Sequence, residues 1–325
     1  MDYKLTEVKE KASDFLINKK DRNETTFLNY RTSINYFIYY IENVAEVEAI
    51  NEGNIEGLLD SFQNALLNGF LYSVENNERT VKVKPSGINT HIRRIKSFLN
   101  KCFKLKPEIT KLDVAKPKYK SLPKSHIELL ANECSNYWSN EEIAIRTETL
   151  IRFLFNSAFR IEEALGILTT NLYKENSSYF VKIHEKGKAK GVLTEVAISE
   201  KTYNMLMDYV NIKKVPSDFL FSSTGRNNKF SRRQFNNNIK DLASYVDLKY
   251  KGYKIEDKEI NISKTAENNS SHFLRHSKAV YLLNHEKEDV VTVQKVLRHK
   301  NINSTLIYLN PEEEAINKVR INNDI

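Results

Sequence analysis

Apolar side chains recur at intervals of three and four residues through most of this chain, which is the periodicity of an amphipathic helix. The pattern is clearest between residues 88 and 99, where one stripe consists of Ile88, Ile92, Ile95, Phe98 and Leu99. Similar stripes run through residues 15–41, 54–69 and 147–168. With only 9 Gly and 6 Pro among 325 residues, the composition also disfavours a turn-dense all-β chain. A mainly helical fold is therefore predicted.

The period changes from helical to alternating at one place in the second half of the chain. Residues 179–183 and 192–198 are rich in β-branched and aromatic side chains, and a turn with Gly187 and Gly191 separates them. This pattern predicts a β-hairpin whose tip carries Lys186, Lys188 and Lys190. The expected fold class is therefore mainly α with a small antiparallel β-sheet.

One segment between the helical stripes has no sustained period. Residues 104–124 contain three prolines and seven lysines, and proline disfavours helix both at its own position and just before it. A chain of 325 residues is also long enough for two domains. We therefore predict a helical domain over residues 1–106, a basic linker over 107–124 and a second domain over 125–325.

Positive charge is concentrated near this linker. The chain as a whole has a net charge of +8, whereas residues 81–122 alone hold 12 Lys or Arg and 2 Asp or Glu, a balance of +10. Such a strip is typical of a surface that binds a polyanion. The alternative is a solvated helix face followed by a lysine-rich spacer. The candidate phosphate contacts are Arg93, Arg94 and Lys96 on the helix and Lys116, Lys118 and Lys120 in the linker.

Several functional classes are excluded by what the sequence lacks. The first residues mix both charge signs without an apolar run, and no stretch approaches the ~18 apolar residues that a membrane span requires. Two cysteines, Cys102 and Cys134, make neither a disulfide framework nor a four-thiolate zinc site. We therefore expect a cytoplasmic protein without a membrane partner, and the absence of a GxxxxGK[ST] loop disfavours ATP-dependent chemistry.

A short basic motif combines groups that suit phosphate chemistry. His272, Arg275 and His276 are spaced i, i+3 and i+4, so they share one face of a helix. A guanidinium offers a planar fork of donors to two phosphate oxygens, and an imidazole exchanges a proton near neutral pH. A metal site is disfavoured because Phe273 stands where a zinc protease needs Glu and Arg275 repels a cation. A helix that is merely capped or salt-bridged by these side chains remains an alternative.

The motif is one of several that occur in a defined order. Arg160-x-x-Glu163 precedes the lysine hairpin, and His272-x-x-Arg275-His276 is followed by Leu297-x-His299 and by Tyr308 nine residues later. In order, spacing and intervening hairpin, this set resembles the catalytic signature of the tyrosine recombinases, the phage integrase family. The resemblance covers about residues 10–310. Many relatives have Gly where this chain has Ala158 and Arg298, and Arg298 either adds a phosphate contact or faces solvent.

The resemblance implies a metal-free, ATP-independent and cofactor-free reaction. The expected catalytic residues are Arg160, Lys186, His272, Arg275, His299 and Tyr308. Tyr308 would attack the scissile phosphate to form a 3′-phosphotyrosyl link, Arg160 and Arg275 would hold the non-bridging oxygens, and His299 would add a donor. His272 would accept or orient the tyrosine proton, and Glu163 would orient the cluster. Lys186 is the expected general acid, with Lys188 as the alternative and Lys190 a weaker one.

The resemblance also implies partners and a biological role. The expected architecture is a clamp on double-stranded DNA, in which a helical core-binding domain of SAM-like type precedes the α+β catalytic domain. Protomers would form a homotetramer on paired recombination sites through a C-terminal helix near residues 310–319, and accessory proteins are further candidate partners. The implied protein is a site-specific recombinase of bacterial or phage origin, associated with the nucleoid. It would be an integrase or transposase of a mobile element or a Xer-like recombinase. A topoisomerase-like or telomere-resolving enzyme and a catalytically inactive DNA-binding protein of the same fold are the alternatives.

Overall fold

The protein forms two compact units, Met1–Pro117 and Lys118–Ile325. The computed structural model describes residues 1–20, 24–69, 83–114, 121–185, 191–213, 217–224, 226–269 and 271–309. In this part of the chain, no helix is both long enough and apolar enough to cross a membrane. The predicted fold class is confirmed, because helices dominate and the strands form small antiparallel sheets.

Four helices build the described part of the first unit. They are α1 (Leu5–Lys20), α2 (Glu24–Asn43), α3 (Ile55–Leu67) and α4 (Pro85–Phe103). A short antiparallel pair of strands, β1 (Tyr3–Lys4) and β2 (Ala49–Ile50), ties the start of α1 to the segment before α3. The side chains that the helical period marks as apolar form the core, and in α4 Ile88, Ile95, Phe98 and Leu99 are fully buried. Fully burying one such side chain contributes about 1.5–3 kcal/mol, so the stripe itself holds α4 in place.

The beginning of the predicted linker packs on the first unit. The side-chain amide of Asn89 donates to the carbonyl of Leu112 over 2.9 Å and accepts from the amide of Leu112 over 3.0 Å. The backbone amide of Glu108 donates to Glu56 over 2.7 Å, and Ile109 and Leu112 contact the apolar core. Residues 107–114 therefore belong to the helical unit although they have no helical or alternating pattern. Residues 115–120, with Lys116, Lys118 and Lys120, lie outside the described residues.

The second unit contains ten helices among its described residues. They are α5 (Lys124–Asn132), α6 (Cys134–Tyr137), α7 (Glu141–Ser157), α8 (Ile161–Leu165), α9 (Glu200–Ile212), α10 (Arg232–Lys249), α11 (Ser263–Asn269), α12 (His272–Asn284), α13 (Val290–Leu297) and α14 (Asn303–Leu306). Polar side chains start several of them: Asn140, Ser199, Ser231 and Asp289 each accept a hydrogen bond from a backbone amide of the first turn.

A three-stranded antiparallel sheet accompanies these helices. Its strands are β3 (Leu172–Glu175), β4 (Ser178–Ile183) and β5 (Thr194–Ile198), with β4 in the middle. Val181 lies opposite Leu172 on one side and Val196 on the other, and the buried Val181 and Ile183 join the core. The predicted hairpin is thus β4–β5, whereas β3 was not predicted. The hairpin tip at 186–190 lies outside the described residues.

The segment 250–269 is mostly polar, yet the structure shows order in it. It contains the two-stranded sheet β6 (Lys254–Ile255) and β7 (Lys258–Glu259), followed by α11. Ile260, Ile262 and Ala266 are buried, and both carboxylate oxygens of Asp247 accept from the backbone amides of Ile262 and Ser263. The three buried apolar residues and the carboxylate on α10 thus help to hold a segment that is otherwise polar.

A separate apolar cluster brings the last helices to the end of α7. Its members are Ala158, Ala279, Leu283, Val293, Leu297 and Tyr308. Ala158 directly follows α7, whereas the other members lie on α12, on α13 and just after α14. Packing of α12–α14 against the end of α7 therefore brings together residues that are far apart in the sequence of the second unit.

Candidate active site

A turn between α7 and α8 presents the first arginine. Ala158 ends α7 with a φ of 53°, in the left-handed region, and this turns the chain so that Arg160 precedes α8. The backbone amide of Arg160 donates to Oε2 of Glu163 over 2.9 Å, and its Nη1 donates to Oε1 over 2.8 Å. Glu163 thus holds both the backbone and the guanidinium of Arg160, as the i, i+3 spacing predicts.

A second arginine, which directly follows α13, binds the same carboxylate. Nη2 of Arg298 donates to Oε2 of Glu163 over 2.8 Å, and its guanidinium lies 4.5 Å from the centre of the Phe159 ring. The Arg298 side chain is only 12% exposed and that of Glu163 only 2%. Burial by itself would raise the pKa of Glu163, but the hydrogen bonds from Arg160 and the charges of Arg298 and Arg160 lower it overall. Glu163 is therefore an ionised carboxylate shared by two arginines.

Arg275 occupies the buried centre of the cluster. From α12 its Nη1 donates to the carbonyl of Ala158 over 2.5 Å, and its Nη2 donates to the carbonyl of Leu297. These carbonyls lie at the C-terminal ends of α7 and α13, where helix carbonyls lack partners and carry partial negative charge. Burial, followed by the charges of Arg160 and Arg298, lowers the pKa of Arg275 to about 9, so the group remains a cation at neutral pH.

Tyr308 follows α14 and points into the cluster. Its side chain is buried, and its hydroxyl lies 2.6 Å from Nδ1 of His276. Burial, followed by the charges of His272, Arg275 and His299, lowers the pKa of His276 to about 4. The imidazole is therefore neutral at physiological pH, and in the tautomer with hydrogen on Nε2 its Nδ1 accepts the hydrogen of the tyrosine hydroxyl.

His299 lies on the other side of the tyrosine. Its ring is nearly parallel to that of Tyr308, with the two centres 6.4 Å apart, and its Nδ1 lies 2.9 Å from the hydroxyl of Thr305. Burial, followed by the charges of Arg275, Arg160 and Arg298, lowers the pKa of His299 to about 4. His299 is thus a neutral imidazole whose orientation is set by Thr305.

The arrangement joins a tyrosine hydroxyl, neutral imidazoles and fixed guanidinium groups. Such a set can bind a phosphodiester through its non-bridging oxygens and bring a hydroxyl nucleophile to the phosphorus. Within the described parts of the chain, no three His, Cys, Asp or Glu side chains come together in a way that would hold a metal ion.

Comparison with known proteins agrees with this geometry. A family model described as the phage integrase family matches residues 120–315, which is more than half of the chain. The chain belongs to the phage integrase family. The predicted resemblance to the tyrosine recombinases is thereby confirmed.

Individual members of this family align over most of the chain. Tyrosine recombinase XerC of Rickettsia canadensis (strain McKiel) is 22% identical over 316 residues, which cover 95% of this chain and 93% of that protein. The XerH site-specific recombinase bound to palindromic difH substrate has a TM-score of 0.64 at 17% identity, over 90% of this chain and 78% of that one. The Tn1549 transposon integrase in complex with circular intermediate DNA has a TM-score of 0.66 at 14% identity, over 99% of both chains.

For this phage integrase family member, the structure brings together most of the predicted site. Arg160, Glu163, Arg275, His299 and Tyr308 are neighbours as described above. His272 begins α12 one turn before His276, and the centres of the two rings are 6.2 Å apart. The predicted general acid Lys186 and its alternatives Lys188 and Lys190 lie outside the described residues.

The sequence assigned no role to His276 and left two alternatives open for Arg298. His276 was part of the quoted motif, yet the tyrosine proton was assigned to His272. The signal for His276 was its i, i+4 spacing and its position directly after Arg275. For Arg298, a solvent-facing position was one of two alternatives, and its burial against Phe159 and Glu163 excludes that one. No local pattern indicated a partner 135 residues away.

The predicted phosphate contacts of the first unit differ in exposure. On α4, Arg93 is exposed, whereas Arg94 and Lys96 are partly buried. Nη1 of Arg94 donates to the hydroxyl of Ser33 on α2 over 3.3 Å, and Nδ1 of His91 lies 3.0 Å from the same hydroxyl. Arg94 is thus held against α2, while Arg93 extends from the basic face of the helix.

Proposed function

We propose that the protein is a site-specific DNA recombinase that cuts and rejoins strands through a covalent intermediate on Tyr308. The observation that carries this proposal is the meeting of Tyr308 with Arg275, His276 and His299 in a member of the phage integrase family. Arg275 and His276 lie on α12, whereas His299 and Tyr308 lie in the segments that follow α13 and α14. The same cluster holds Arg160 through Glu163. A purely architectural role for the tyrosine would not require this set of phosphate-binding groups.

In the proposed reaction, the oxygen of Tyr308 bonds to phosphorus while the bond from phosphorus to the 5′ oxygen breaks. The protein remains on the 3′ phosphate, and the 5′ oxygen leaves as a hydroxyl after it takes up a proton. The 5′ hydroxyl of a partner strand then attacks the phosphotyrosine and releases Tyr308. The energy of the phosphodiester is kept in the protein–DNA bond, so the exchange needs no ATP.

Arg160 and Arg275 stabilise the negative charge that develops on the non-bridging oxygens. Fixed cationic donors that are already oriented lower the barrier most, because they need no rearrangement during the reaction. Arg275 meets this condition, since two of its donors are anchored on the carbonyls of Ala158 and Leu297. Arg160 meets it through Glu163.

Proton transfer begins at His276 in this proposal. Its neutral Nδ1 is already 2.6 Å from the tyrosine hydroxyl and can accept the proton as the phenolate attacks. His272, the residue expected for this step from the sequence, stays a second candidate one turn earlier on α12. A lysine of the hairpin, Lys186 or else Lys188, supplies the proton to the leaving 5′ oxygen.

The proposed substrate is double-stranded DNA with specific recombination sites. The XerH structure contains its palindromic difH substrate, and the Tn1549 integrase structure contains circular intermediate DNA. These complexes support DNA as the partner here. We propose that Arg93, Arg94 and Lys96, together with the linker lysines Lys116, Lys118 and Lys120, contribute to that contact. We also propose a homotetramer held by the C-terminal segment near residues 310–319, which lies outside the described residues. Accessory proteins and a nucleoid-associated cytoplasmic location belong to the same proposal. The proposed role is that of a mobile-element integrase or transposase or of a Xer-like recombinase.

The test is capture of the covalent intermediate. Nicked duplexes tiled across the DNA that flanks the gene are incubated, with a chelator present, with wild type, Tyr308→Phe and Tyr253→Phe. Tyr253 is 65% exposed and lies outside the site, so this variant is the matched control. A 3′-linked adduct should form with wild type and Tyr253→Phe and be absent from Tyr308→Phe.

Two other outcomes would change the conclusion. Salt-sensitive DNA binding without any adduct in wild type would favour the catalytically inactive DNA-binding protein. An adduct that persists in Tyr308→Phe would show that another residue is the nucleophile.

A further inference from the structure

Arg298 occupies a backbone position that an arginine adopts at a cost. It directly follows α13 with a φ of 52°, in the left-handed region that glycine adopts freely and that other residues rarely use. A glycine at this position would end the helix equally well. The side chain of Arg298 makes contacts that a glycine could not supply.

The contacts of Arg298 are directed into the active site. Nη2 donates to Glu163 over 2.8 Å, the guanidinium lies on the face of Phe159, and Nη1 donates to the carbonyl of Val296 over 3.3 Å. Because the side chain is 12% exposed, its charge is largely removed from water and interacts strongly with the buried carboxylate.

The two carboxylate oxygens of Glu163 are shared between the arginines. Oε1 accepts from the guanidinium of Arg160, whereas Oε2 accepts from the backbone of Arg160 and from Arg298. Arg298 therefore opposes rotation of the carboxylate about its own axis, and the orientation of the carboxylate sets the orientation of the Arg160 guanidinium. The three residues form a chain that starts at α13 and ends at the proposed phosphate-binding group.

We propose that Arg298 is a positioning residue of the active site, which acts through Glu163 to fix the direction in which Arg160 meets the scissile phosphate. The inference rests on the proposed function for the identity of the substrate. The statement that Arg298 orders the Arg160 side chain does not depend on the substrate, so it also applies to the protein without DNA. The charge of Arg298 also contributes to the lowered pKa of Arg275 and His299, which agrees with a place inside the site.

The first experiment measures positioning without any DNA. Relaxation of the arginine Nε–H signals by NMR is compared for wild type, Arg298→Gly, Arg298→Lys and Lys287→Gly in the full chain. Lys287 is the matched control, since it is an exposed basic residue with a φ of 58° outside the cluster. The Arg160 signal should be rigid in wild type and Lys287→Gly, clearly more mobile in Arg298→Gly and intermediate in Arg298→Lys. An equally rigid Arg160 in Arg298→Gly would overturn the proposal.

The second experiment measures the consequence for cleavage. Single-turnover cleavage of a nicked substrate should be about 10–100-fold slower in Arg298→Gly, because small displacements of a catalytic group have effects of this size. Arg298→Lys should recover part of the rate, and the DNA dissociation constant should change by less than about threefold, as expected for a residue that does not touch DNA. A loss of binding that matches the loss of rate would instead make Arg298 a direct DNA contact.

A double-mutant cycle separates action through Glu163 from direct action. In a Glu163→Gln background, Arg298→Gly should cause little further loss of rate, because the connection to Arg160 is already broken. Independent, multiplicative losses would contradict the proposal. If wild type and Lys287→Gly cleave no DNA at all, the proposed function fails, while the NMR comparison still decides whether Arg298 orders Arg160.

Discussion

Acidification should destabilise the second unit through His276. The folded protein holds this imidazole against the hydroxyl of Tyr308, and burial and nearby positive charge lower its pKa to about 4. In the unfolded chain a histidine titrates near pH ~6.5. Below that pH the unfolded state binds more protons than the folded state, so the stability falls with pH and levels off once the pH is below the folded pKa.

The size of the effect follows from the two pKa values. A histidine whose pKa falls from 6.5 to about 4 on folding loses about 2 kcal/mol of stability between pH 7 and pH 5. His276 keeps some solvent exposure, which weakens the effect, and we therefore expect about 1–2 kcal/mol. With a urea dependence of about 2 kcal/mol per molar, the unfolding midpoint should fall by roughly 0.5–1 M from this residue. The pKa of His299 is also lowered, and the values above count His276 alone.

The assay is urea unfolding at pH 7, 6 and 5, followed by tryptophan fluorescence. The chain has a single tryptophan, Trp138, and it packs against the core of the second unit, so the signal reports on the relevant part. His276→Gln removes the titrating group, and His184→Gln is the control at an exposed position. The His276→Gln protein should lose about 1–2 kcal/mol less than wild type on acidification. If it loses stability as steeply as wild type, then burial of a neutral His276 is refuted.

Three further predictions concern other contacts. Glu163→Gln leaves two arginines without their anion and should lower the free energy of unfolding by about 2–4 kcal/mol, measured by calorimetry. The control Glu162→Gln, which removes the exposed ion pair with Lys229, should change it by less than about 1 kcal/mol. Equal effects would mean that burial of the ion pair is unimportant. Thr305→Val removes the hydrogen-bond partner of His299 Nδ1 and should slow single-turnover cleavage about tenfold, while the affinity for DNA stays the same. An unchanged cleavage rate would show that other groups orient His299. Phe98→Ala should destabilise the first unit by about 3–5 kcal/mol, measured by far-ultraviolet circular dichroism in urea, and a cost below 1 kcal/mol would contradict the observed burial.

Elements with a strong local period were predictable. The stripe from Ile88 to Leu99 indicates α4, and the alternation on either side of the lysine turn indicates the β4–β5 hairpin, because both depend only on which neighbours share a face. Strand β3 has a single buried residue, Leu172, so its sequence carries little alternation. Residues 172–175 form a strand because they pair with β4, and their own sequence pattern does not indicate one.

The candidate site shows the same division. The spacing of His272, Arg275 and His276 places these three groups on one helix face before any tertiary contact exists. Arg160 and Glu163 are likewise close in sequence, with Arg160 directly before α8 and Glu163 within it. The order of the segments also indicates the family. In contrast, the pairs His276–Tyr308 and Glu163–Arg298 join residues 32 and 135 positions apart, and no local spacing rule reaches so far.

The sequence by itself determined the helical architecture, the hairpin, the family and the chemical groups of the site. Only the tertiary structure decided which imidazole meets the tyrosine, and that Arg275 joins the ends of α7 and α13. The physical reason is that periodicity and motif spacing are properties of neighbours along the chain. Hydrogen bonding at helix ends and the burial of charge depend instead on which surfaces meet. From the sequence, Arg298 either adds a phosphate contact or faces solvent, whereas in the folded protein it is a largely buried ion-pair partner of Glu163.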